Sequence, residues 1–141
     1  MFDIDKCTTW FITNASKKIT DSFNKRLLKE GITRVQWIVL SYLEKFGSTS
    51  QHKLGEKMNI KVSTVARLID RMEREGYIVR KKTIADRRVT FIELTKKGME
   101  LRERTLPVGE NFNRDLKKDI SEEEMEIFKR ITSRMIGNVG Y

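Results

Sequence analysis

The residues best equipped for chemistry in this chain are charged and hydroxylated rather than nucleophilic. In "IADRRVTFIEL" (Ile84 to Leu94), Asp86 is followed at once by Arg87 and Arg88, between two runs of strand-forming residues. A hairpin tip that only had to close would be better served by Asn-Gly or Asp-Gly, which tolerate the positive φ of tight hairpin turns. Two arginines at the tip imply contact with something negative, or else a solvated charge cluster that protects a sheet edge. A second set precedes them in "KVSTVARLIDRMEREG" (Lys61 to Gly76). There Ser63, Thr64, Arg67, Arg71 and Arg74 fall on or near one helical face, opposite a stripe of Val65, Leu68, Ile69 and Met72. Short hydroxyls and arginines are the side chains that read base edges and hold phosphates.

Catalytic chemistry lacks its parts. His52 and Cys7 are each the only residue of their kind, so no Cys/His cluster is available for zinc, and no glycine-rich phosphate loop occurs. The run Glu122 to Glu124 is better explained as the start of a helix, where carboxylates face the positive end of the dipole. The expectation is a protein that is not an enzyme and has no metal or cofactor. With Cys7 alone no intramolecular disulfide can form, and no apolar run approaches bilayer-spanning length. A cytoplasmic protein without a membrane partner is expected. Charge favours a different partner. Residues 50 to 97 hold 13 Lys/Arg against 6 Asp/Glu, most of a net charge of +9, so the positive field sits in the middle of the chain. A concentrated basic segment inside a patterned sequence points to nucleic acid.

The elements that must position these residues follow from periodicity. Ile4, Cys7, Phe11, Ala15, Ile19, Phe23 and Leu27 recur at three- and four-residue steps and predict one long helix, stopped by Gly31. Thr33 and Gln36 have the spacing of a capping box, with Ile32 and Trp37 placed as its hydrophobic staple, so a second helix runs from about Thr33 to Phe46. A short helix fits Ser50 to Met58. The basic-faced helix follows over about 61–75, and the pair makes a helix-turn-helix. "YIVRKK" and "VTFIEL" are strands, so residues 77–94 form a hairpin wing with Thr83 to Arg88 at its tip. Thr95 caps a helix that Pro107 and Gly109 are expected to kink or break, with a further piece over about Asn111 to Lys118. Ser121 and Glu124 form a second capping box and open a last helix with Met125, Phe128, Ile131 and Met135 at helical spacing.

The predicted class is therefore mainly α with a small β-hairpin wing. A winged helix-turn-helix module (32–98) lies between an N-terminal helix (1–31) and C-terminal helices (99–141). Apolar stripes at both ends must pack somewhere, and a second copy of the chain is the expected partner. Ile4, Phe11, Phe128, Ile131 and Met135 are the candidate contacts between copies.

The segment "STVARLIDRMEREGYIVRKKTIADRRVTFIELTKKG" (Ser63 to Gly98) resembles the signature region of the MarR family of bacterial and archaeal winged-helix regulators. It shares the run T-x-x-x-x-I-D-R-x-E-x-x-G-x-I-x-R, an Asp-Arg-Arg wing and a closing L-T-x-x-G. The order of helices agrees along nearly the whole chain, by motif in the middle and by pattern at the ends. The resemblance implies a homodimer, joined through its terminal helices, that binds double-stranded DNA at a near-palindromic operator, as a repressor released by a small ligand. It places Ser63, Thr64 and Arg67 nearest the major groove, with Arg71 on the same helix. Arg88 matches the family's minor-groove arginine and Asp86 the acid that braces it, while Arg87 is left for phosphate.

Many relatives respond to small aromatic or anionic ligands between the dimer helices and the winged module. Trp10, Phe11, Asn14 and Trp37 are the candidates for lining such a pocket, and both tryptophans are equally well read as core. One branch of the family senses peroxides through a cysteine in the first helix. Aligned on "ASKK" (Ala15 to Lys18), Cys7 falls about one helical turn early, with Trp10 at the expected position, so a redox role is an alternative to ligand control. A winged module meeting an acidic protein is the rival from another class. RNA binding is disfavoured by the lack of an exposed aromatic platform.

Overall fold

The computed structural model describes residues 1–141. Six helices and three short strands form in the order α1 (Thr8–Leu28), α2 (Arg34–Phe46), β1 (Thr49–Ser50), α3 (Gln51–Met58), α4 (Val62–Arg74), β2 (Ile78–Lys82), β3 (Thr90–Leu94), α5 (Lys96–Leu116) and α6 (Glu122–Asn138). The chain divides into two compact units, Met1–Val108 and Gly109–Tyr141. No helix is long and apolar enough to cross a membrane.

Both capping boxes form. The Thr33 hydroxyl accepts from the Gln36 amide while the Gln36 side chain accepts from the Thr33 amide, and Ser121 and Glu124 do the same at α6. Each satisfies two donors that a helix start otherwise leaves open. At the end of α2, Gly47 takes φ +70°, a conformation that a side chain would disfavour.

Three expectations change. The first helix is interrupted: Ile4–Lys6 form a separate 3-10 turn capped by Asp3, and Cys7 is extended (φ −77°, ψ 111°) before α1 begins. A three- and four-residue apolar rhythm cannot register a single extended residue, because the spacing of side chains survives it. Pro107 does not break α5, which runs through it to Leu116. An interior proline costs about 3 kcal/mol in a helix, but Leu101 and Thr105 on the preceding turns are fully or almost fully buried, and such packing outweighs local propensity. The sheet also has a third strand: β1 pairs antiparallel with β3 (Thr49↔Ile92, Ser50↔Phe91), giving the order β1-β3-β2. Two residues are too few to carry an alternating pattern.

In the first unit, Leu27 of α1, Val39, Leu40 and Leu43 of α2, Leu54 of α3, Val65, Ile69 and Met72 of α4, and Ile78 and Ile92 of the sheet form one core. Helix α1 thus covers the winged module through its C-terminal end. Its N-terminal half leaves Trp10, Phe11 and Ile12 exposed. In the second unit, no residue of α6 is buried.

Candidate nucleic-acid interface

Helix α4 presents the expected faces. Val65, Ile69 and Met72 are buried, while Ser63, Thr64, Arg67, Arg71 and Arg74 are exposed. Its seat against α3 is close: a Cβ on Gly55 would lie 2.9 Å from Val65 Cγ2, so α3 can approach α4 this tightly only with glycine there. Asn59, in the left-handed region at φ 52°, ends α3 and turns the chain into α4.

The basic residues are held differently from one another. Arg67 and Arg87 are exposed with no ion pair inside the chain. Arg71 is tied to Glu75 (Nε to Oε1, 3.0 Å), and the other oxygen of Glu75 accepts from Gln36 Nε2 at 3.0 Å. The capping glutamine of α2 therefore also anchors the end of α4. At the wing tip, Asp86 Oδ1 accepts from the Arg88 amide at 2.9 Å and from Arg88 Nε at 3.2 Å. The Thr83 hydroxyl donates to the Asp86 carbonyl and accepts from the Asp86 amide, both at 3.0 Å. Arg88 is 93% exposed yet oriented by its neighbour. Beside it, Gln51, His52, Lys61, Val62 and Thr90 join Arg88 around a groove between the α3–α4 turn and the base of the wing.

A residue the sequence reading passed over stands between these two parts. Arg80 of β2 reaches Glu73, Asp70 and the Ala66 carbonyl on α4. The Asp, Glu and final Arg of the motif run are thus structural partners, a link invisible in sequence because it joins a helix to a strand.

The closing Leu-Thr-x-x-Gly also has a cause. The Thr95 hydroxyl donates to the Gly76 carbonyl at 2.6 Å and accepts from the Gly98 amide at 3.0 Å. A Cβ on Gly98 would lie 2.1 Å from the Tyr77 carbonyl oxygen. Only glycine lets α5 start this close to the strand entering the wing.

The four candidate ligand-pocket residues are not brought together within one chain. Trp10, Phe11 and Asn14 border a shallow depression on α1 with Asp5, Ala15 and Lys18. Trp37 stands edge-on to Phe23 (5.2 Å between centroids), roughly 14 Å further along α1 than Asn14 at 1.5 Å per residue. The guanidinium of Arg102 lies over its ring at 5.1 Å and pairs with Glu44 (Nε to Oε2, 3.0 Å). The candidate contacts between copies, Ile4, Phe11, Phe128, Ile131 and Met135, are all exposed. Cys7 is half-buried at the entry to α1.

The family model described as "MarR family" matches residues 32–90. An uncharacterized HTH-type transcriptional regulator of Bacillus cereus is 32% identical over 124 residues, 87% of this chain and 80% of that protein. The HTH-type transcriptional repressor MdtR of Bacillus subtilis is 31% identical over 119 residues, 84% and 77% of the two chains. Among solved structures, the S. aureus MepR–DNA complex superposes with a TM-score of 0.84 at 24% identity, over 94% of this chain and 98% of that one. Identity above 30% across most of both lengths, with a shared fold and the family model over the winged segment, places this chain in the MarR family of helix-turn-helix transcriptional regulators.

Proposed function

We propose that two copies of this chain bind a two-fold symmetric duplex DNA site and repress transcription from it. Helix α4 enters the major groove and the wing the adjacent minor groove. The observation that carries this reading is the pairing of one exposed face, Ser63, Thr64 and Arg67 on α4, with a wing tip whose Arg88 is held outward by Asp86. Hydroxyls and arginine on a helix read base edges, whereas an arginine in the minor groove reads its width and potential. Arg71 and Arg87 are assigned to phosphates. The fold of a DNA-bound relative supports the same docking.

In this reading residues 32–98 are the DNA-binding module. Segments 1–31 and 99–141 join the copies, burying Ile4, Phe11, Phe128, Ile131 and Met135. A regulator of this kind works in the cytoplasm.

The deciding experiment is selection of bound duplexes from a random pool, followed by binding of the recovered sequences across a salt series. An inverted repeat with half-sites about one helical turn apart is expected. Affinity should fall by about three orders of magnitude or more between 50 and 200 mM salt. An unenriched pool would refute sequence-specific binding and favour an acidic protein partner.

Control by a small aromatic anion is the second reading, on a specific observation. Trp37 Nε1 and Arg102 Nη1 are each buried without a hydrogen-bond acceptor, and the Arg102 guanidinium lies over the Trp37 ring. The carboxylate of an aromatic anion would supply the acceptor. Salicylate titrated into a Trp10→Phe variant should quench Trp37 fluorescence and release DNA, and Arg102→Met should abolish both effects. Quenching undiminished by Arg102→Met would exclude this site.

A further inference from the structure

A DNA-facing helix with two carboxylates close to its basic face poses an electrostatic problem. Asp70 and Glu73 are both exposed on α4 and would repel the phosphates that Arg67, Arg71 and Arg74 attract. Their partner explains their presence. Arg80 of β2 is mostly buried, with 26% of its side chain exposed. Its Nη1 donates to Glu73 Oε1 at 3.2 Å, and its Nη2 to Asp70 Oδ1 and to the Ala66 carbonyl at 3.3 Å. Its backbone amide also donates to Glu73 Oε2 at 3.0 Å. Strand β3 pairs along the other side of β2, so this amide lies on the free edge of the sheet. Residues 66, 70 and 73 are spaced by four and three and so share one flank of the helix. A planar fork with five donors suits three acceptors on one flank in a way that a lysine ammonium cannot.

We infer that Arg80 is a positioning residue that fixes the angle between the recognition helix and the wing, so that Arg88 and the α4 side chains engage DNA as one rigid unit. The inference rests on the DNA reading above and adds a coupling to it: Arg80 touches no DNA, yet the contribution of Arg88 depends on it. A wing freed from α4 still carries Arg88, but must be oriented at the moment of binding, and that ordering cost removes most of the gain.

Charge and positioning make opposite predictions for one variant. Asp70→Ala/Glu73→Ala removes two negative charges from the interface together with the oxygens that hold Arg80, so electrostatics alone would tighten DNA binding, whereas loss of the lock would make Arg88 ineffective. The measurement is the affinity of the parent, Arg88→Ala, the double variant and their combination for the duplex recovered by selection, at one salt concentration. In the parent, Arg88→Ala is expected to weaken binding about tenfold. In the double variant the same substitution should cost less than about twofold. An equal loss in both backgrounds would show that Arg80 serves stability only, and would overturn the inference. No loss in the parent would instead overturn the minor-groove role of the wing, a distinguishable failure. Arg80→Lys, which keeps the charge and loses the fork, decides by the same comparison if the double variant does not fold. An intermediate contribution from Arg88 is expected there, and an undiminished one counts against positioning.

Discussion

Arg67 and Arg88 contrast two kinds of recognition. Arg67 lies on the exposed face of α4 without an ion pair, so Arg67→Ala should cost about 1–3 kcal/mol on the preferred sequence and much less on others. Arg88→Ala should weaken binding on every duplex and flatten the salt dependence by about one ion. Equal effects of both substitutions on all sequences would refute the division. Gly98→Ala tests a different residue-scale constraint. Its methyl would overlap the Tyr77 carbonyl, so a loss of about 3 kcal/mol is expected in urea unfolding. The sequence made Asp86, Arg88 and the α4 face legible, because a turn and a helix each have a local signature. It hid Arg80 and Arg102, whose partners Glu73 and Glu44 come from other elements. Charge type alone does not say which arginine faces solvent and which is shared between a helix and its neighbour.

The starts of the capped helices were legible, since Thr33/Gln36 and Ser121/Glu124 are short-range devices. Elements defined by packing were not. Strand β1 exists because β3 offers it an edge, and α5 continues through Pro107 despite a local signal to stop. Thr33→Ala should cost about 1 kcal/mol of stability by removing the cap of α2. The wing contributes a pH dependence. The Lys81 side chain, hydrogen-bonded to Glu93 across the β2–β3 pair, holds the Glu93 carboxyl below the usual glutamate range. A lowered value in the folded state means stabilisation that is present above the ordinary glutamate pKa and lost as pH falls through the lowered one. An NMR titration of Glu93 should therefore show its midpoint rising in Lys81→Met. An unchanged midpoint would remove Lys81 as the cause.

Across the whole molecule, the basic middle and the exposed apolar ends suit a chain that recognises DNA as a pair. Phe128 is 62% and Phe11 71% exposed in the single chain, and each is expected to be covered in solution. Light scattering at micromolar concentration should give twice the chain mass, and Phe128→Lys with Ile131→Lys should return it to the monomer while leaving the winged module folded by circular dichroism. A parent that scatters as a clean monomer would refute the paired reading. In the paired protein proposed above, the same apolar faces would set how the cell's supply of this protein is sensed. While most chains are unpaired, occupancy of a two-copy site grows with the square of chain concentration, so halving the supply lowers occupancy about fourfold by mass action. Genes under its control would then respond to gene dosage and dilution at cell division more steeply than under a monomeric regulator, a threshold that originates in uncovered phenylalanines far from any base pair.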